Sequence, residues 1–287
     1  MSMSEAPSDA LKAELLCIAD SNWVLGHWYT NCMLNGRELT DFTSMAGIAE
    51  DKLGHTRALF RFMEEYFELP EYQLEFGRGV EQIHSMQLLD VPPQSWGDFV
   101  LSLYLADSAI WQFSNTLRQG SFAPVANLIT KFGEEAYFHQ LCIDGWLKAL
   151  DDTEKADLKV ALAQRLPLAL AWFAEASSDD ALIDAGIRTD SVASAKKAFA
   201  EDVLNKLSGI VSIADNVLQD LLNAKPVANW DARRRREANS VMPPRLWESI
   251  VPTSEEALIA RRPLAVSVDD NIDLFVKAKK DETEPQF

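Results

Sequence analysis

Cysteine is scarce: the 287-residue chain has three, Cys17, Cys32 and Cys142. An odd set without CxxC spacing supports neither a disulfide framework nor a zinc site. Glycine and proline number 12 each, few for a protein of many turns and short strands, so long helices are expected. No apolar run approaches the ~20 residues of a membrane span. Basic residues are outnumbered, 27 Lys and Arg against 44 Asp and Glu, giving a net charge of −17. That balance repels nucleic acid and anionic membranes and suits a partner with a basic face. The stretch from Met1 to Ala10 has no basic region followed by an apolar one. These absences together lead us to expect a reducing, cytoplasmic setting, with neither nucleic acid nor membrane as partner.

What is present is helical periodicity. Hydrophobic residues make up 47% of the chain, enough for a large core. Ala13, Leu16, Cys17, Trp23, Val24 and Leu34 recur at helical spacing from Ala10 to the Asn35-Gly36 break. A second helix is expected over Glu38–Phe67, with Met45, Ile48, Ala49, Leu59 and Met63 on one face. An irregular stretch follows, broken by Val91-Pro92-Pro93. Further helices are expected over Gln94–Leu117, Pro124–Leu150, Thr153–Ala176 and Asp190–Leu222. Four long helices, with a long connection between the second and third, predict an all-α four-helix bundle with one crossover and extra C-terminal helices. We expect a helical domain over residues 1–224 and a proline-containing extension over 225–287. The charged end, Lys277 to Phe287, is expected to be disordered.

Polar residues on the apolar stripes are the informative ones. A helix advances about 100° per residue, so i, i+3, i+4 and i+7 share a face. Asp20 and His27 fall in the first stripe, Lys52 and His55 in the second, Asp107 in the third, and Glu135 and His139 in the fourth. Each long helix therefore points ionisable groups at the expected core. Isolated charges are too costly to bury, so these must pair or coordinate a metal. Ferritin-like di-iron bundles take one Glu from each of two helices and Glu-x-x-His from each of the other two. Here the match is partial: Lys52 precedes His55 by three residues and Ala136 precedes His139 by three. Glu135 lies one register off.

Two readings follow. Lys52 serves as counter-cation to Asp107 or Glu135, and no metal binds. Alternatively Asp20, His55, Asp107, Glu135 and His139 hold iron, mononuclear or di-iron, in an altered shell. His27 alone reads as a hydrogen-bonded core histidine, and His84 in the irregular segment carries no signal. The basic run Arg233 to Arg236 reads as a solvated surface.

The sequence resembles the ferritin-like family of phenylacetate catabolism, most closely the C-type, non-catalytic subunit of ring 1,2-phenylacetyl-CoA epoxidase. The resemblance runs through Ala19-Asp20-Ser21-Asn22-Trp23-Val24-Leu25, Glu38-Leu39 and Asp51-Lys52-Leu53-Gly54-His55-Thr56-Arg57. It continues through Leu105-Ala106-Asp107, Glu135-Ala136-Tyr137-Phe138-His139 and Gly145-Trp146-Leu147. A weaker echo lies at Ala185-Gly186-Ile187 and Asp190. It spans about Ala10 to Leu222. It implies a ferritin-like fold and pairing with an A-type chain, whose di-iron centre inserts one oxygen of O₂ into the aromatic ring. A reductase supplies that centre's electrons from NADPH. It also implies that this chain is a partner subunit with a degenerate site and no cofactor of its own, catalysis resting elsewhere. The alternative is an oxygenase in its own right with a reduced iron site. The extension past Ala224 exceeds the usual C-type end and is expected to act as an interaction arm.

Overall fold

A computed structural model describes residues 5–174, 180–211, 213, 215–224 and 227–251. The chain divides into two compact units, Met1–Pro243 and Pro244–Phe287. In the first unit four long helices carry the core: α1 (Glu5–Cys32), α2 (Leu39–Phe67), α4 (Trp96–Asn115) and α5 (Ala123–Lys148). A short helix, α3 (Glu71–Phe76), lies in the crossover from α2 to α4, followed by two 3₁₀ turns. Then come α6 (Asp152–Ala171), α7 (Ala181–Asp184), α8 (Val192–Leu207) and α9 (Asp215–Asn223). Helix α1 packs along α2, and α4 packs against α5, α6 and α8. The architecture is a ferritin-like four-helix bundle with α6 and α8 added on the α4 side and α7 against α1.

Helix α4 occupies the centre. Every residue from Gly97 to Ile110 is buried, including Ser102, Asp107 and Ser108. Its apolar residues therefore extend beyond the single stripe that periodicity marks out. Its start is fixed by Ser95, whose hydroxyl accepts the Asp98 N–H at 3.3 Å, satisfying one orphan donor of the first turn. Gly97 allows α6 to come close: a Cβ there would lie 2.1 Å from the Glu154 carbonyl oxygen. At the start of α6, Asp151 and Glu154 form a reciprocal capping box.

Three expectations need correction. The single helix over Asp190–Leu222 is two: α8 stops at Leu207 and α9 begins at Asp215. The break falls at Ser208-Gly209, and a mid-helix glycine costs about 1 kcal/mol against alanine. The irregular stretch after Phe67 contains α3.

The third correction concerns Arg233 to Arg236. These residues turn an antiparallel hairpin, β1 (Trp230–Asp231) and β2 (Arg236–Glu237). Arg233 is exposed, but Arg234, Arg235 and Arg236 are buried. Asp231 Oδ1 accepts the N–H groups of Arg233 and Arg234, and Arg235 sits at a left-handed φ of 52°. The three guanidinium groups then find carbonyl and carboxylate partners on distant segments. Arg234 donates to Ile83 O; Arg235 donates to Trp172 O and Glu14; Arg236 donates to Ser85 O and Asp90. Residues 227–243 are thereby bonded to the bundle.

The second unit is described over Pro244–Val251 and holds α10 (Pro244–Ile250). The charged end, 277–287, lies outside the described residues. No described helix is long and apolar enough to cross a membrane.

Candidate functional site

Five of the six expected core residues meet where α2, α4 and α5 converge. Helical spacing brings Lys52 and His55 to the inner side of α2, Asp107 to α4, and Glu135 and His139 to α5. Lys52, His55, Asp107 and His139 are buried, and the Glu135 side chain is one-third exposed. The Lys52 ammonium donates to Asp107 Oδ1. His139 Nδ1 lies 3.7 Å from Asp107 Oδ2, and its Nε2 bonds Asp51 Oδ2 at 2.9 Å. His55 Nε2 contacts Glu135 Oε2, while its ring stacks on Phe132 with centroids 3.9 Å apart. The register question is thus answered in space: Glu135 meets His55 across the α2/α5 seam.

Asp20 lies elsewhere. It is fully buried and accepts two hydrogen bonds from the Arg78 guanidinium, at 2.6 and 2.8 Å. The backbone N–H of His84 adds a third, at 2.7 Å. No hydrogen bond or ion pair among the described residues joins Asp20 to Lys52, Asp107 or the two histidines. Asp51 and Arg78 were not among the expected residues. Asp51 is 40% exposed in its side chain and precedes Lys52, so periodicity assigns it to the solvent face. Arg78 follows α3 in irregular chain, where periodicity gives no signal. His27 is half-buried beside Trp23.

The electrostatics favour neutral imidazoles. Burial pushes His55 down to about 2, aided by the Lys52 ammonium and by His139. Burial and Lys52 also lower His139, against the opposing pull of Asp107 and Asp51. Glu135 moves up, first through burial and then through the Asp51 charge. A neutral His139 that donates from Nε2 to Asp51 presents a lone pair at Nδ1. That nitrogen and Asp107 Oδ2 face each other, and neither has a hydrogen-bond partner. Beside them is a pocket of about 20 Å³ lined by Asn22, Lys52, His55, Asp107, Phe132 and Ala136, among others. It has room for about one water molecule.

The donor set does not fit a pair of metal ions. Two ferrous ions bring four positive charges, which carboxylates must balance. Here one Asp107 oxygen is held by an ammonium, Asp20 is committed to Arg78, and position 136 carries alanine. Among the described residues no group of three or more His, Cys, Asp or Glu has metal-holding geometry.

A family model described as phenylacetic acid catabolic protein matches residues 1–211, which include every residue of this cluster. A search of curated proteins gave no match.

Proposed function

We propose, from the premise that this chain belongs to the phenylacetic acid catabolic protein family, that it is the structural partner subunit of an aromatic acyl-CoA ring oxygenase. Membership places the chain in aromatic breakdown. The finer reading is a C-type subunit without iron, assembled with an A-type ferritin-like chain that carries the di-iron centre and acts on a phenylacetyl-CoA-type thioester. The observation that carries it is the Lys52 ammonium seated on Asp107 at the centre of the bundle. A cation beside a dication is strongly unfavourable in a low dielectric. The lysine neutralises the aspartate that would otherwise serve a metal. Glu135 in turn bonds His55, and Asp51 bonds His139 at Nε2. On this reading the cluster serves to hold α2, α4 and α5 together. A reductase would act on the catalytic chain and meet this one only indirectly.

Metal analysis after anaerobic incubation with ferrous iron tests this reading. We expect far less than one iron per chain and no oxygenation of phenylacetyl-CoA by the isolated protein. Stoichiometric iron, or activity without the A-type chain, overturns it.

A further inference from the structure

The motif Glu135-Ala136-Tyr137-Phe138-His139 has two sides. Glu135, Ala136 and His139 turn inward, as described. Tyr137 and Phe138 turn outward and are 62% and 63% exposed, and Leu141 one turn on is 50% exposed. The two rings contact each other edge to face at 5.4 Å. Three large apolar side chains on one face of a well-packed helix form a surface patch rather than a scatter of single residues. The neighbouring rim of α2 is open. Gly47, Asp51 and Gly54 share a face at i, i+4 and i+7, and Asp51 reaches the α2/α5 seam through His139. A Cβ added at Gly47 or Gly54 would meet nothing within 4 Å, and the same holds for Gly145 on α5. Protruding aromatics thus stand beside shallow backbone, a relief into which another helix can fit.

The charges around this face select the occupant. Glu50 and Glu134 are exposed, and Asp51 and Glu135 are partly exposed, against Lys131 and Lys148, while Asp144 is paired with Lys206. The rim is acidic on a chain of net charge −17. Pairing the face with a second copy would bring like charges together.

We propose that the outer face of α5, with the adjoining α2 rim, docks a different helical chain that presents lysine and arginine around an apolar groove. Tyr137, Phe138 and Leu141 are the anchors, and Glu50, Glu134 and Asp51 meet the basic rim. The inference rests on the partner-subunit reading and adds the surface through which assembly occurs.

The test uses the full chain. Its probe is the family member of the same genome that carries glutamate at both positions where this chain has Lys52 and Ala136. Binding is followed by sedimentation and calorimetry. Phe138→Ser with Leu141→Ser should weaken binding at least about tenfold, because buried aromatic anchors dominate interface energies. Val160→Ser, an exposed apolar residue on α6, should leave it unchanged. Glu50→Lys with Glu134→Lys should weaken it without touching an apolar contact. Raising salt from about 0.05 to about 0.5 M should weaken wild-type binding. Wild-type affinity in both double variants overturns the face and leaves the subunit reading intact. A wild-type chain that ignores the probe overturns both. Self-association lost in the same variants overturns the choice of occupant.

Discussion

Two buried acid–base pairs lie on α4, about two and a half turns apart, and they differ in how completely they are bonded. Asp98 accepts from Arg165 Nε and Nη2, both at 2.9 Å, from Ser102 Oγ at 3.0 Å and from the Gln94 N–H at 3.0 Å. Arg165 also donates to the carbonyls of Leu88, Val91 and Pro92. Burial pushes Asp98 up, but the hydrogen bonds from Arg165 and Gln94 outweigh it and hold the carboxyl below its ordinary value. Asp107 has one partner, Lys52, on one oxygen, and its other oxygen is unsatisfied. The first pair ties the crossover to α4 and α6 with every group used. The second fills a space whose shape its own bonds do not fully specify. The fully satisfied pair acts as a structural staple, whereas the unsatisfied oxygen of Asp107 leaves its pair with bonding capacity that the neighbouring side chains do not use.

The largest expected effect breaks the staple. Arg165→Leu leaves the Asp98 carboxylate and three carbonyls without their donor, and should cost about 3–5 kcal/mol in urea unfolding. Replacing Asp98 as well should recover little, because the carbonyls of 88, 91 and 92 stay unpaired. Lys52→Met should cost less, about 1–3 kcal/mol, because His139 beside Asp107 is placed to take up a proton and replace the lost cation. Adding Asp107→Leu should bring stability back to within about 1 kcal/mol of wild type, since a buried pair replaced by apolar groups is often neutral. Equal recovery in the two double variants would erase the distinction between the pairs.

Acid separates them by pH window. His55 has a folded value of about 2 against an ordinary value of 6.5. The unfolded chain binds its proton below about pH 6.5 and the folded chain does not, so stability falls as pH drops through that range. The slope is about 1.4 kcal/mol per pH unit for one such group. His139 and His84, both lowered chiefly by burial, add to it, while Glu135, raised, and Asp90, pushed up to about 6 by burial, oppose it. Asp98 has a depressed carboxyl, so its contribution is present above its unfolded value of 3.8 and is lost only below that. Urea midpoints measured from about pH 7 to about pH 4.5 should therefore decline, and His55→Gln should flatten the decline. An unchanged slope in that variant contradicts a neutral His55.

The sequence made this cluster legible wherever helical periodicity carried the information. Lys52, His55, Asp107 and His139 each interrupt an apolar stripe, and each is buried. The partners were not legible for a common reason. Asp51 is a half-exposed neighbour of the stripe, and Arg78 lies in irregular chain 58 residues from Asp20. Arg234 to Arg236 look solvated because a charge run is local information. Their burial depends on carbonyls of Ile83, Ser85 and Trp172, supplied by segments 63 to 151 residues away. The α8–α9 break is an intermediate case: Gly209 marks it, but apolar spacing runs on either side.

The smallest expected effect bears on the protonation state of His139. In Asp51→Asn the amide oxygen still accepts the Nε2–H, so a neutral imidazole keeps its bond and the cost should stay below about 0.5 kcal/mol, as for other half-exposed partners. Asp51→Ala removes the acceptor and should cost about 0.5–1.5 kcal/mol. An imidazolium would behave differently. It would lose a charge partner in both variants, and Asp51→Asn would then cost nearly as much as Asp51→Ala. Thermal unfolding of the two variants at about pH 8, where the unfolded histidine is also neutral, decides between the two states. A near-equal pair of losses would mean that Asp51, His139, Asp107 and Lys52 form one alternating chain of charges. Unequal losses leave the Lys52–Asp107 ion pair as the central charge interaction, with His139 its neutral neighbour.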